Sequence, residues 1–170
     1  MKTTVRLNSV SGFSENEKAK LQIALKFLET AINSELFKAR VLTHTWLGKK
    51  TFADNQGFTN EEIYNLIMSG KEVLKPVSDN VIDISLVIYT AMFRGRNVVG
   101  FTYPNTSTQW VNRRFFTTMT PAQIAGNLIH EYGHKLGFDH DYKSTKKRPY
   151  SVCYAIGKII TDVIEVIYSP

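Results

Sequence analysis

The sequence contains a single cysteine, Cys153, among its 170 residues. No internal disulfide can form, which is typical of proteins from a reducing compartment. Long apolar runs are also absent, because charges interrupt each one well before the ~20 residues that a membrane span needs. The segment Met1–Asn8 lacks the apolar core of a secretory signal. Either the protein works in the cytoplasm, which the sequence favours over secretion, or its leader is not part of this sequence.

Low-complexity segments and internal repeats are absent as well. The composition, 43% hydrophobic and 21% charged, is ordinary for a globular protein, and the length predicts one domain over residues 1–170. The net charge is +6, with short basic clusters at Arg94–Arg96, Arg113–Arg114 and Lys146–Arg148. These clusters are not interleaved with aromatic residues as in a nucleic-acid-binding module. We therefore favour a basic surface in water over nucleic-acid binding, and expect a monomer without membrane contact.

Histidine is scarce too, yet three of the four histidines lie within the segment His130–His140. Residues four apart share one face of an α-helix, so His130 and His134 can point at the same ion. Gly137 can adopt a positive φ angle and end the helix with a sharp turn. Such a turn would return His140 as a third ligand.

Three neutral imidazoles leave one position of a tetrahedral Zn²⁺ open for water, as in catalytic rather than structural sites. Glu131 follows the first of these histidines and can reach that water as a general base. The spacing therefore predicts one Zn²⁺ per chain and a catalytic role for Glu131. The alternative is that the histidines merely lie near a helix C-terminus, where the helix dipole favours them. That alternative does not explain why the three histidines have the spacing that would point them at one ion.

Hydrophobic periodicity predicts an α+β chain. The predicted strands are Thr3–Val10, Lys38–Trp46, Val81–Thr90, Val98–Tyr103 and Thr108–Phe116, and Lys49–Gly57 is predicted to be a loop. Predicted helices span Glu15–Asn33, Asn60–Gly70 and Cys153–Tyr168, and a further helix, begun by Thr120 and Pro121, carries the histidines.

The complete pattern HExxHxxGxxH resembles the signature of the metzincin zinc peptidases. Asp141 follows the last histidine, which is similar to the adamalysin branch of that family. The match is best over residues 97–155. The resemblance implies a zincin-like single catalytic domain, in which a twisted mixed sheet is combined with an active-site helix and a C-terminal helix.

The stretch Gly100-Phe101-Thr102-Tyr103 is similar to the sheet-edge strand of that family. There the edge strand lies antiparallel to the substrate, whose backbone it binds by β-augmentation. The resemblance thus implies a substrate-binding role for these four residues. An ordinary edge strand that ends at Pro104 is the alternative.

Ser151-Val152-Cys153-Tyr154 resembles the family's methionine turn, with Cys153 in place of the methionine. Cysteine can supply the soft apolar floor below the histidines that the resemblance implies. As a fourth ligand, Cys153 would instead close the site, and as a nucleophile it would lack a base. Gly137, Asp141 and Cys153 are expected to support the site.

Tyrosine assists catalysis in some metzincins from the position that Ala155 occupies here. Tyr154 lies one residue earlier, and it or Tyr150 could donate a hydrogen bond to an oxyanion. The fourth histidine, His44, is predicted to be a strand residue rather than a ligand.

The resemblance implies a zinc-dependent endopeptidase that cleaves a peptide or protein substrate, with Glu131 assisting attack by a zinc-bound water. Three alternatives remain open. The first is an inactive zinc-binding module with a binding or structural role, and the second is a zinc hydrolase of a non-peptide amide. The third is a nucleic-acid-associated protein stapled by zinc, whose affinity would fall steeply with salt.

Overall fold

The computed structural model describes residues 2–92, 95–103 and 105–169, which form an α+β fold. The strands are β1 (Thr4–Ser11), β2 (Val81–Tyr89), β3 (Gly100–Thr102) and β4 (Thr108–Asn112). The helices are α1 (Glu15–Ile32), α2 (Glu35–Thr43), α3 (Asn60–Ser69), α4 (Arg113–Thr118), α5 (Pro121–Lys135) and α6 (Val152–Ile167), and a 3₁₀ turn spans Arg148–Tyr150.

The four strands form one sheet in the order β1-β2-β4-β3. β1 and β4 both run parallel to β2, whereas β3 runs antiparallel to β4, so the predicted mixed sheet is confirmed. β2 is a central strand, as its apolar sequence predicts, and its side chains alternate between buried and half-buried. This alternation places Ile82, Ile84, Leu86 and Ile88 in the core between the sheet and the helices.

Helix α5, which carries the histidine motif, begins where the sequence predicts. The Thr120 side chain accepts a hydrogen bond from the Gln123 backbone N–H, and the Gln123 side chain accepts one from the Thr120 N–H. Pro121 fills the first helical position, where no backbone donor is needed. α5 then packs against α1 and, more extensively, against α6. Local capping therefore determines where the motif helix starts, and packing determines how it is held.

One predicted strand is wrong. Lys38–Trp46 is not a strand, because Ser34 caps α2 by accepting a hydrogen bond from the Phe37 N–H. Phe37 and Val41 are both buried at the helical spacing of four. His44 is consequently the C-cap of α2 and not a strand residue.

The predicted strand Thr108–Phe116 is correct only for its first part. β4 ends at Asn112, whose side chain accepts a hydrogen bond from the Arg114 N–H and so caps the short helix α4. β3 is likewise shorter than the predicted Val98–Tyr103.

Several further predictions concern the connecting segments. Residues 49–57, predicted to be a loop, contain turns and bends, and Ala53 makes an isolated bridge to Ser151. Arg94 and Pro104, which the sequence assigns to turns, lie outside the described residues. Within the described ranges, none of the helices combines the length and the apolar character that crossing a membrane requires.

Candidate metal centre

The three motif histidines converge on one point. Each offers a ring nitrogen, and these atoms lie within 4.8 Å of one another. The Nε2 atoms of His130 and His140 are 3.3 Å apart. No other group of at least three histidine, cysteine, aspartate or glutamate side chains in the described part of the chain has this geometry. His130, His134 and His140 can therefore hold a metal ion.

A Schellman turn brings His140 to the two helical histidines. Gly137 has φ +96°, its N–H donates to His134 O, and the Phe138 N–H donates to Gly133 O. These two bonds satisfy carbonyls that the end of α5 would otherwise leave unpaired. Phe138 is buried beyond the turn and anchors the returning chain. Gly137 thus has the helix-ending role that its position in the motif predicts.

Backbone carbonyls orient two of the three imidazoles. His134 Nδ1 lies 2.9 Å from Phe138 O, and His140 Nδ1 lies 3.1 Å from Asp141 O. Since a carbonyl can only accept, Nδ1 of His134 and of His140 must carry the proton, which leaves Nε2 with a free lone pair. Asp141 supports the site through its carbonyl, while its carboxylate accepts a bond from Thr145 Oγ1.

The site also favours neutral imidazoles. Burial, reinforced by the neighbouring His134 and His140, lowers the pKa of His130 to about 3. Burial likewise lowers the pKa of His134. Both rings are therefore uncharged at pH 7, which is the form that binds a metal.

Glu131 is 4% exposed and lies close to the sheet edge. A Cβ atom at Gly100 of β3 would be 3.3 Å from Glu131 Oε1 and 2.9 Å from Trp110 O, so the absence of a side chain at Gly100 lets β3 approach the carboxylate. Burial raises the pKa of Glu131 to about 8. A dication bound by the histidines would act in the opposite direction and favour the carboxylate.

The predicted substrate-binding stretch lies at the end of the sheet. Gly100, Phe101 and Thr102 pair with β4 on one side, and β3 is the last strand in the order. Tyr103 follows the strand and is exposed. The Phe101 ring stacks on Trp110 with 5.2 Å between centroids. β3 therefore presents an edge next to Glu131.

Cys153 lies in the first turn of α6 and is fully buried. Its Sγ atom is 3.8 Å from His134 Nδ1 and 3.7 Å from Phe138 O. The sulfur therefore contacts the Nδ1 atom of His134, which is also the atom that lies close to Phe138 O. Cys153 is not part of the three-histidine group. Burial raises the pKa of the Cys153 thiol, which disfavours the thiolate needed for ligation.

Cys153→Met is expected to leave the metal content of the protein near one ion per chain. Room beside Cys153 is limited, since a Cβ atom at Gly133 would be 2.9 Å from its sulfur. Overpacking by methionine should therefore cost about 1–3 kcal/mol of unfolding free energy. Cys153→Asp should be worse, because it buries an unpaired carboxylate. Denaturant unfolding with metal analysis of both variants checks this, and loss of metal in Cys153→Met would instead indicate thiolate ligation.

Tyr154 contacts two of the histidines directly. Its ring centroid is 4.5 Å from that of His130 and 4.6 Å from that of His140. Its hydroxyl accepts a hydrogen bond from the Arg148 guanidinium, which also lies 4.6 Å from the ring centroid. Because the hydroxyl oxygen of Tyr154 accepts the hydrogen bond from Arg148, the hydroxyl hydrogen remains free to donate. Arg148 is a site residue that the motif did not indicate.

Tyr150 and His44 lie outside the three-histidine group. Tyr150 packs on Trp46 with 4.7 Å between ring centroids. His44 stacks on Phe52 at 4.2 Å, and burial lowers the pKa of His44. Ala155, which occupies the position of the assisting tyrosine in some metzincins, is buried.

Two helical glycines allow α6 to approach the motif helix closely. A Cβ atom at Gly157 would lie 2.7 Å from Gly126 O and 3.3 Å from the Cβ of His130. Any side chain at Gly157 would therefore separate α5 from α6 beside the first ligand. Glycine inside a predicted helix is the sequence signal that could have indicated this crossing.

No protein-family model, curated protein or solved structure matches this chain.

Proposed function

We propose that this protein is a zinc endopeptidase of the metzincin type. The observation that carries the proposal is the convergence of three imidazole nitrogens, with a buried glutamate directly after the first of these histidines in α5. The ligand set suits zinc, which accepts three histidines and keeps a fourth position open in catalytic sites. A purely structural site would have no need of a buried carboxylate next to its ligands. The proposal joins this geometry to the complete HExxHxxGxxH pattern.

In this proposal His130, His134 and His140 would hold the ion, and a bound zinc would supply Lewis-acid chemistry that lowers the pKa of water and polarises the scissile carbonyl. Glu131 takes the proton of the attacking water and passes it to the departing amine. A dication held by the histidines would favour the carboxylate form that Glu131 needs in order to accept this proton.

The edge of β3 would bind the substrate. An extended peptide that adds to this edge would run next to Glu131, because Gly100 lies against that carboxylate. Backbone hydrogen bonds to Gly100, Phe101 and Thr102 would orient the scissile bond without selecting a particular sequence. Tyr103, at the exposed end of the strand, would extend this surface.

Tyr154 is proposed to donate its free hydroxyl hydrogen to the oxyanion that forms as water attacks. Its ring lies against His130 and His140, which supports a position of Tyr154 next to the proposed metal. A hydrogen bond from Arg148 withdraws electron density from the hydroxyl oxygen and strengthens it as a donor. Cys153, in turn, would take the place of the metzincin turn methionine beneath His134.

Digestion of a proteome-derived peptide library tests the proposed function. The zinc-loaded protein is expected to produce internal cleavages, which a chelator should abolish and added zinc should restore. Mass spectrometry of the products would also define the residues that flank the cleaved bond. If the zinc-loaded protein cleaves no peptide, the inactive binding module or the hydrolase of a non-peptide amide becomes the better interpretation.

A further inference from the structure

Arg148 places a positive charge on the rim of the metal site. Its guanidinium contacts Tyr154, whose ring lies against two of the ligand histidines. The backbone of Arg148 is also fixed, because its N–H donates to Thr145 Oγ1 and its carbonyl accepts from Ser151 Oγ. The side chain is half-buried in this position. Arg148 is thus held near the histidines by contacts on both its backbone and its side chain.

The charge of Arg148 has no carboxylate partner among the described residues. A guanidinium has five N–H donors, and the hydroxyl of Tyr154 is the one acceptor that it contacts in the described part of the chain. Its Nε atom is buried without a hydrogen-bond partner there. A buried donor without an acceptor destabilises the folded protein unless another group accepts its hydrogen bond.

The acidic side chains of the neighbouring segments make their described contacts with groups other than Arg148, and Asp54 Oδ2 is buried without a hydrogen-bond partner. Asp139 Oδ1 accepts from the His140 N–H, and Asp141 Oδ2 accepts from Thr145 Oγ1. Asp54 pairs with Lys147, the neighbour of Arg148. None of the ion pairs among the described residues therefore includes Arg148, and a dication held by the histidines would add a second positive charge near it. The missing ion-pair partner and the added positive charge both favour the binding of an anionic group of the substrate.

We propose that Arg148 binds a carboxylate of the substrate close to the scissile bond, so that the enzyme prefers peptides with an acidic residue there. This inference rests on the proposed peptidase function. The guanidinium keeps its bond to Tyr154 and uses its remaining donors for the carboxylate. The basic segment Lys143–Arg148 and the net charge of +6 would draw such peptides toward the site.

Paired peptides that differ by one Glu→Gln exchange test this inference. Both ends are blocked, so the side chain is the only carboxylate, and the exchange is moved through the positions flanking a bond identified by the library digestion. At one position, wild type should have a kcat/KM about 10- to 100-fold higher for the glutamate peptide, the range expected for a charge-assisted contact. Arg148→Gln should reduce this ratio to near one, and Arg148→Lys should give an intermediate value.

The ratio is the quantity to compare, because a general loss of activity in Arg148→Gln affects both peptides equally and cancels. Lys146→Gln is the matched control, since it removes one charge from the same segment at an exposed position and should keep the wild-type ratio. A wild-type ratio near one at every position, or an unchanged ratio in Arg148→Gln, would overturn the inference.

Binding gives a readout that does not depend on hydrolysis. Zinc-loaded Glu131→Gln protein should bind the glutamate peptide more tightly than the glutamine peptide in calorimetry. The difference should vanish when Arg148→Gln is added, and equal affinities in the single variant would refute acidic recognition. Cleavage of the glutamine peptide by wild type, but not by Glu131→Gln, would support the peptidase function whatever becomes of Arg148.

Discussion

Glu131→Gln is expected to abolish peptide hydrolysis while metal content stays near one ion per chain. Glutamine has the same shape as glutamate and fits the space beside Gly100, but it cannot take a proton from water. General-base catalysis is typically worth ~10²–10⁴-fold in rate, so a loss of that size in kcat is predicted. Single-turnover cleavage of a library-derived peptide, together with metal analysis of the same sample, measures both quantities.

The matched control for this variant is Glu61→Gln, which makes the same exchange at an exposed position in the first turn of α3. Its activity should equal that of wild type. Unimpaired cleavage by the Glu131→Gln protein would remove Glu131 from the mechanism, although it would leave the metal assignment intact.

His140→Ala is expected to lose most of the bound metal without unfolding the protein. His130 and His134 would remain as two ligands on one helix, which is fewer than a stable zinc site uses. Even the loss of an outer-shell partner typically costs 10–100-fold in affinity, so the loss of a ligand should exceed that range. Metal analysis after dialysis against a weak chelator measures the effect, and circular dichroism checks the fold.

His44→Ala is the control, because His44 stacks on Phe52 and is not part of the three-histidine group. This variant should keep its metal even if it loses some stability. Full metal occupancy in His140→Ala would disprove the assignment of three ligands.

The misread segments of the fold have a common physical cause. Phe37 and Val41 suit either a strand or a helix, and the cap that Ser34 provides decides for the helix. β4 likewise ends at Asn112, and the side chain of the same residue caps the start of α4. A short apolar stretch carries little periodicity of its own, so a capping side chain and the surrounding core determine its structure.

The sequence by itself determined the parts of the site that depend on local geometry. Residues four apart on a helix share a face, so His130 and His134 had to lie together once α5 formed, and Gly137 permits the left-handed turn that returns His140. Thr120, Pro121 and Gln123 similarly determined where α5 begins, because a capping box involves only neighbouring residues.

Tertiary structure alone decided which residues from distant segments surround the histidines. The order of the sheet put β3 at its edge, and the approach of Gly100 to Glu131 follows from that order. The crossing of α5 and α6 brought Cys153 against His134, and the turn before α6 set Arg148 on Tyr154. The contacts of Gly100 with Glu131 and of Cys153 with His134 join residues far apart in the chain, and the free energy of all three contacts depends on packing and desolvation that no local pattern records.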